Sequence, residues 1–205
     1  MRGLLALIVC VGCAPPAIED EGCDPFVVDV VSFLPGASAG FGAELMPAIV
    51  QGPPAGEADS EGSFDVVSLG KGGVIVLELG CTIEDGEGVD FIVYENAFFV
   101  SGSENVFADP GEVAVSSDGV DFVTFPCTPD GPRDDGVNGC AGTAPVVANA
   151  RNGLAGDFEA GGGDGFDLGF VDVVEARFVR VTDRGQGGAG DNVGFDLDAI
   201  SAVVR

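Results

Sequence analysis

Glu-Val-Ala-Val-Ser-Ser-Asp-Gly-Val-Asp-Phe-Val-Thr-Phe, residues 112–125, reads as two short strands folded about Ser117-Asp118-Gly119. Glycine adopts positive φ without steric penalty, so a Ser-Asp-Gly step between apolar runs signals a hairpin. Val113 and Val115 alternate with smaller or polar neighbours and are expected to face inward, as are Phe91 and Val93 in the run 90–95. The same kind of run recurs at 26–33, 63–69, 73–79, 176–182 and 197–204, each short, β-branched and bounded by Gly, Pro, Asp or Ser. No stretch carries a helical stripe of three turns, and strands do not alternate with helices, which argues against a doubly wound parallel sheet. The expected fold is all-β, an antiparallel β-sandwich of about eight strands arranged as a jelly roll. The Gly-rich stretches 153–165 and 185–194 are then loops at a sandwich edge, and loops of that length are commonly functional or ordered by a metal.

The chain carries 34 acidic side chains against 8 basic ones, and no histidine. A nucleic-acid binder neutralises phosphates with clustered Lys and Arg, so that class is excluded, and docking on anionic lipid is disfavoured for the same reason. With 46% hydrophobic residues the chain is too apolar to stay disordered. Ser-His-Asp and Cys-His catalysis require the missing histidine. A pair of carboxylates acting in glycoside hydrolysis is the remaining catalytic alternative. The absence of Trp and the single Tyr argue against it. They also argue against a carbohydrate-binding module, for which Phe98 and Phe99 are the available stacking residues.

Met1-Arg2 followed by the apolar run 3–9 reads as an export signal, too short to cross a bilayer as a helix. Val11-Gly12-Cys13 is similar to the end of a bacterial lipobox, with Cys10 where Leu is usual. Cleavage before Cys13 and lipidation of its thiol are expected, with plain secretion as the alternative. Residues 1–12 are then the signal peptide, 13–24 an acidic, Pro-rich tether, and 25–205 a single monomeric domain held to the outer membrane or cell surface only by lipid. Four cysteines remain, allowing three pairings. Cys127 with Cys140 and Cys23 with Cys81 are expected. The first would close a Pro-, Gly- and Asp-rich loop with no core of its own, a staple worth about 3 kcal/mol. A four-thiolate zinc site is disfavoured, because the mature chain has neither CxxC spacing nor histidine.

Three motifs combine glycine with acids: Asp-Gly-Glu-Gly-Val-Asp-Phe-Ile-Val-Tyr-Glu-Asn-Ala-Phe at 85–98, Gly-Gly-Asp-Gly-Phe-Asp-Leu at 162–168 and Gly-Phe-Asp-Leu-Asp-Ala-Ile at 194–200. Calcium takes six to eight oxygen ligands from carboxylates, Asn side chains and backbone carbonyls. Asp85, Glu87 and Asp90 enter one strand, and Glu95 and Asn96 leave it. Asp164 and Asp167 flank Phe166, whose ring can anchor their loop in the core. Asp196 and Asp198 are expected on one face of the last strand, with Leu197 on the other. The alternative for each cluster is turn chemistry, since Asp caps its own backbone. Residues 162–167 also match most of a calcium β-roll nonapeptide, but Gly169 replaces the required large apolar residue and a single copy cannot stack. Arg177 and Arg180 fall on opposite faces of one strand, with ordinary surface pairing expected for Arg180.

With these residues in view, the chain resembles a family of bacterial cell-surface proteins and lipoproteins with galactose-binding-like, discoidin-like jelly-roll domains. The resemblance runs from residue 30 to 204. It is carried by Pro35-Gly36 with Gly40-Phe41-Gly42, Val50-Gln51-Gly52-Pro53-Pro54, Val67-Ser68-Leu69-Gly70, Cys140-Ala141-Gly142, 113–125, 176–183 and the three acidic motifs. Tyr94, where the family motif usually has Phe, and the glycine-rich approach to Asp164 are departures. The resemblance implies an extracytoplasmic surface module and gives no enzyme activity; the expected role is non-catalytic binding or adhesion, towards an extracellular glycan or protein. The resemblance also implies a calcium site drawn from Asp90, Glu95, Asn96, Asp164, Asp167, Asp196 and Asp198.

Overall fold

The computed structural model describes residues 22–57, 62–128, 139–184 and 194–205. The signal peptide, Cys13, most of the tether, most of the loop between Cys127 and Cys140, and 185–193 of the second Gly-rich stretch lie outside the described residues.

Twelve strands are described: β1 Val27–Leu34, β2 Val67–Ser68, β3 Val74–Glu84, β4 Phe91–Glu95, β5 Phe98–Phe99, β6 Val106–Phe107, β7 Gly111–Ser116, β8 Val123–Thr124, β9 Cys140–Ala141, β10 Asp164–Phe166, β11 Glu175–Asp183 and β12 Asp196–Ala202. They form one sheet in the order β1-β3-β11-β7-β8 with β9 beside β7, a second in the order β10-β4-β12-β2, and a β5-β6 ribbon. Every strand pairing is antiparallel. The eight runs read from the sequence each overlap a strand, although β3 runs on to Glu84, five residues past its run. The four strands without such a run, β5, β6, β9 and β10, are two or three residues long, too short to show a period. One expectation is corrected: 153–165 is not simply a loop. It holds a single helical turn, Phe158–Gly161, capped by Asp157, followed by β10 at the edge of the second sheet.

The two larger sheets pack face to face over one core. Leu77, Val113, Val115, Val179 and Val181 come from the first sheet, and Phe91, Val93, Phe166, Leu197 and Ile200 from the second. Phe166 stacks on Phe91 with ring centroids 5.0 Å apart, and Phe125 meets both rings edge-on, so this aromatic trio anchors one end of the second sheet. The other face of β4 is also covered. Ile92 and Tyr94 bury against Val146, Ala148 and Ala199, with Leu154 and Phe158 packed on the outside. Both disulfides, Cys23–Cys81 and Cys127–Cys140, are formed as expected.

The hairpin at 112–125 is built as the sequence predicts. Asp118 accepts hydrogen bonds from the N–H groups of Asp121 and Val120 and from the Ser116 hydroxyl. These bonds hold its carboxyl below the usual range. Gly119 has φ of 74°, the left-handed geometry that the turn requires.

Arg177 and Arg180 do not lie on opposite faces. A register shift between Ala176 and Phe178 turns Ala176 and Val179 inward together and both arginines outward. Arg177 then pairs with Glu78 at 2.8 Å, and Arg180 lies 4.6 Å over the Phe122 ring.

Tyr94 has a structural use for its hydroxyl. Its Oη accepts the Gly156 N–H at 2.9 Å and lies 3.3 Å from Ser201 Oγ, tying the segment that covers β4 to the sheet beneath. The glycine-rich approach to Asp164 makes room for the same ring, because a Cβ on Gly163, where φ is 81°, would lie 2.8 Å from Tyr94 Cδ1. Tyr94→Phe keeps the ring and strands a backbone N–H. It is expected to lower unfolding stability by about 1–2 kcal/mol in a denaturant titration; an unchanged midpoint would show that the hydroxyl contributes nothing.

Candidate functional site

The acids singled out in the sequence do not meet at one point. Asp90 precedes β4 and Glu95 ends it. Five residues of strand separate them by about 17 Å, far beyond what one ion with 2.3–2.6 Å ligand distances can bridge. The seven residues are therefore divided between two separate ends of the second sheet, with Asp164 satisfied by a third set of partners.

At the first end, one oxygen each from Asp85, Asp90 and Asp167 lies within 4.8 Å of the others, the only such group of three among the described residues. Asp90 is wholly buried and fully used. Its Oδ1 accepts the Gly86 N–H and the Arg205 guanidinium, both at 3.0 Å, and its Oδ2 accepts the Leu168 N–H at 2.8 Å. The same guanidinium donates to the Glu87 and Val89 carbonyls. Asp167 caps the turn Leu168–Val171 through the Gly169 N–H. A cation from the protein itself therefore already serves this end.

Asp164 opens β10 and is also satisfied. It accepts from the Thr143 N–H and hydroxyl and from the Ala144 N–H, an arrangement that fastens the 143–144 segment to the sheet edge.

At the second end, Glu95 shares the inward face of β4 with Phe91 and Val93, since side chains alternate with period two. It is only 4% exposed. Its Oε1 accepts the Asp196 N–H at 3.2 Å, and its Oε2 is buried with no hydrogen-bond partner. Burial, and then the neighbouring Asp196, Asp109 and Asp164 carboxylates, push its pKa well above the ordinary value. Asp198 accepts the Ala55 N–H on both oxygens, and burial drives its pKa up to about 7. Asn96 takes the Ser63 N–H on its Oδ1. Between these groups lies a cavity of about 10 Å³ lined by Glu57, Ser63, Glu95, Asn96 and Asp198, room for about one water-sized sphere.

Asp196 does not join that cavity. A register shift between Leu197 and Ala199 breaks the expected alternation. Asp198 faces the small cavity, and Asp196, hydrogen-bonded to the Ser68 side chain, lines a groove of about 280 Å³ with Phe41 and Phe64. Phe98 and Phe99 are not in this groove. They form β5, and Phe98 stacks on Phe107 of its own ribbon at 5.3 Å. Sequence reasoning missed Glu57, Phe64, Asp109 and Arg205. Phe41 was visible within Gly40-Phe41-Gly42, but nothing local marked its ring as exposed. Asp109 is buried near the same end, with one oxygen unpartnered.

No family model matches the sequence, and no curated protein matches it.

The elevated carboxyls make stability depend on pH in a defined direction. Asp198 titrates near 3.8 when unfolded and near 7 when folded, so between those values the native state holds a proton that the unfolded chain has lost. Stability is then present on the acid side of the window and falls as pH rises through 7, with Glu95 acting in the same sense. In divalent-free buffer, the denaturant midpoint is expected to drop from pH 5.5 to pH 8, with a shallower drop in Asp198→Asn. A midpoint that rises over this range would contradict the burial argument.

Proposed function

We propose that this chain is a non-catalytic, extracytoplasmic surface module, anchored by lipid at Cys13, whose sandwich carries bound calcium at the Glu95 end and serves a binding or adhesion role. One observation carries the calcium reading: Glu95 Oε2 is buried and unpartnered beside an ion-sized cavity. A buried carboxylate in that position must either keep its proton or receive a cation. Glu95, Asn96 and Asp198, with Glu57, supply the hard oxygen donors that calcium prefers. An ion there would neutralise the repulsion among Glu95, Asp196, Asp109 and Asp164, and so allow the loops that carry them to pack against one another.

The two disulfides are compatible with an oxidising, extracytoplasmic environment. No helix among the described residues is long and apolar enough to cross a membrane, and the lipobox-like Val11-Gly12-Cys13 supports attachment through a lipid. Two antiparallel sheets packed over one core support the galactose-binding-like jelly roll as the finer description of the fold. Against hydrolysis, Glu95 and Asp198 share a space too small for a sugar ring. Against stacking of a glycan on Phe98, that ring is engaged with Phe107.

Thermal and denaturant unfolding of the oxidised domain with calcium and with chelator tests the reading. At a calcium concentration several hundred times Kd, a specific native site adds about 3 kcal/mol or more. Glu95→Gln is expected to lose this gain while matching or exceeding the wild-type stability in chelator, because a neutral amide needs no proton to be taken up on folding. Coincident curves for the wild-type domain would defeat the calcium assignment.

A further inference from the structure

The groove beside the Glu95 end carries a second, separate chemistry. Phe64 is 87% exposed and Phe41 52% exposed, and their rings stand 6.4 Å apart, tilted by 52°. Two phenyl rings turned towards water at the mouth of a cavity are costly in isolation, and on a soluble domain such a patch commonly marks a contact site. The rest of the wall is mixed, with Ala39 and Val66 beside the polar Ser38, Ser63, Asn96 and Asp196. Ser38 adopts φ of 66°, uncommon for a residue with a side chain, in the loop that leads to Phe41. Among the described residues, no Lys or Arg lines the groove.

Charge decides among ligand classes. An anion would enter a groove with a carboxylate and no cation, on a protein of net charge −26, against the surrounding field. A purely apolar ligand would cover the rings but strip water from Asp196 without compensation. A neutral polyol would use the hydroxyls and amide but leave the field unexploited. An organic ammonium satisfies all of these groups. Its positive head is attracted to ring faces within about 6 Å of a centroid, so one head seated between Phe41 and Phe64 is within reach of both, and its charge answers that of Asp196.

We propose that the groove between Phe41 and Phe64 is a binding site for a methylated organic ammonium cation, held between the two rings with Asp196 as its counter-charge. The site does not rest on calcium binding, because neither ring touches the ion-sized cavity.

Choline chloride is the probe, titrated into the full oxidised domain and followed by chemical-shift changes, at constant ionic strength. Glucose and 3,3-dimethylbutan-1-ol, the uncharged isostere of choline, serve as controls. Saturable choline binding localised to the groove is expected, about fivefold or more weaker for the isostere and for Phe64→Leu, which keeps apolar area and removes the ring. Phe64 is exposed, so this variant stays folded, and its calcium response should equal that of the wild type; the two assignments can therefore fail separately. Asp196→Asn is expected to weaken choline and leave the isostere unchanged. Equal affinity for choline and its isostere, retention of choline binding in Phe64→Leu, saturable glucose in place of choline, or no saturable choline binding would each overturn the proposal.

Discussion

Burial of β4 on both faces is the constraint around which the molecule is arranged. Its inward side chains, Phe91 and Val93, belong to the inter-sheet core, and its outward ones, Ile92 and Tyr94, lie under the 143–161 segment. Asp90 and Glu95 flank this strand and are buried with it. The electrostatic character of the protein follows from how each of those carboxylates is accommodated.

The two ends reach different solutions. Asp90 receives two backbone N–H groups and a guanidinium, so its charge is matched by donors that the chain itself supplies. Glu95 receives one backbone N–H and is surrounded by further carboxylates rather than by a cation. The difference is one of inventory. With 8 basic side chains to 34 acidic ones, guanidinium groups cannot answer every buried acid, and the uncompensated end is the one that faces a cavity of ionic size. Low dielectric amplifies this imbalance, because the same repulsions would be screened at the surface.

Much of the architecture was legible because it depends on local rules. Runs of β-branched residues with period two located all the longer strands, and Ser117-Asp118-Gly119 located its hairpin, since both signals lie within a few residues of chain. The Cys127–Cys140 bridge was legible for a related reason: a loop poor in apolar residues has little else to hold it. What escaped was decided by pairing. β10 is three residues long and exists because β4 offers it a ladder, so its sequence looked like a calcium loop. The register shifts in β11 and β12 change the faces that simple alternation assigns, which put Arg177 on the outer face with Arg180 and separated Asp196 from Asp198.

The sequence by itself determined that this is an antiparallel all-β domain, acidic and without histidine, with its carboxylates concentrated at strand ends, because composition and period-two patterning are properties of neighbouring residues. Tertiary structure alone decided which acids meet. Arg205 reaches Asp90 across 115 positions, and Ala55 reaches Asp198 across 143. Phe41 and Phe64, 23 positions apart, become a pair only in the folded chain. Such contacts are set by sheet order and register, and the energy of a buried charge depends on what lies within a few ångströms in space, whatever the distance along the chain.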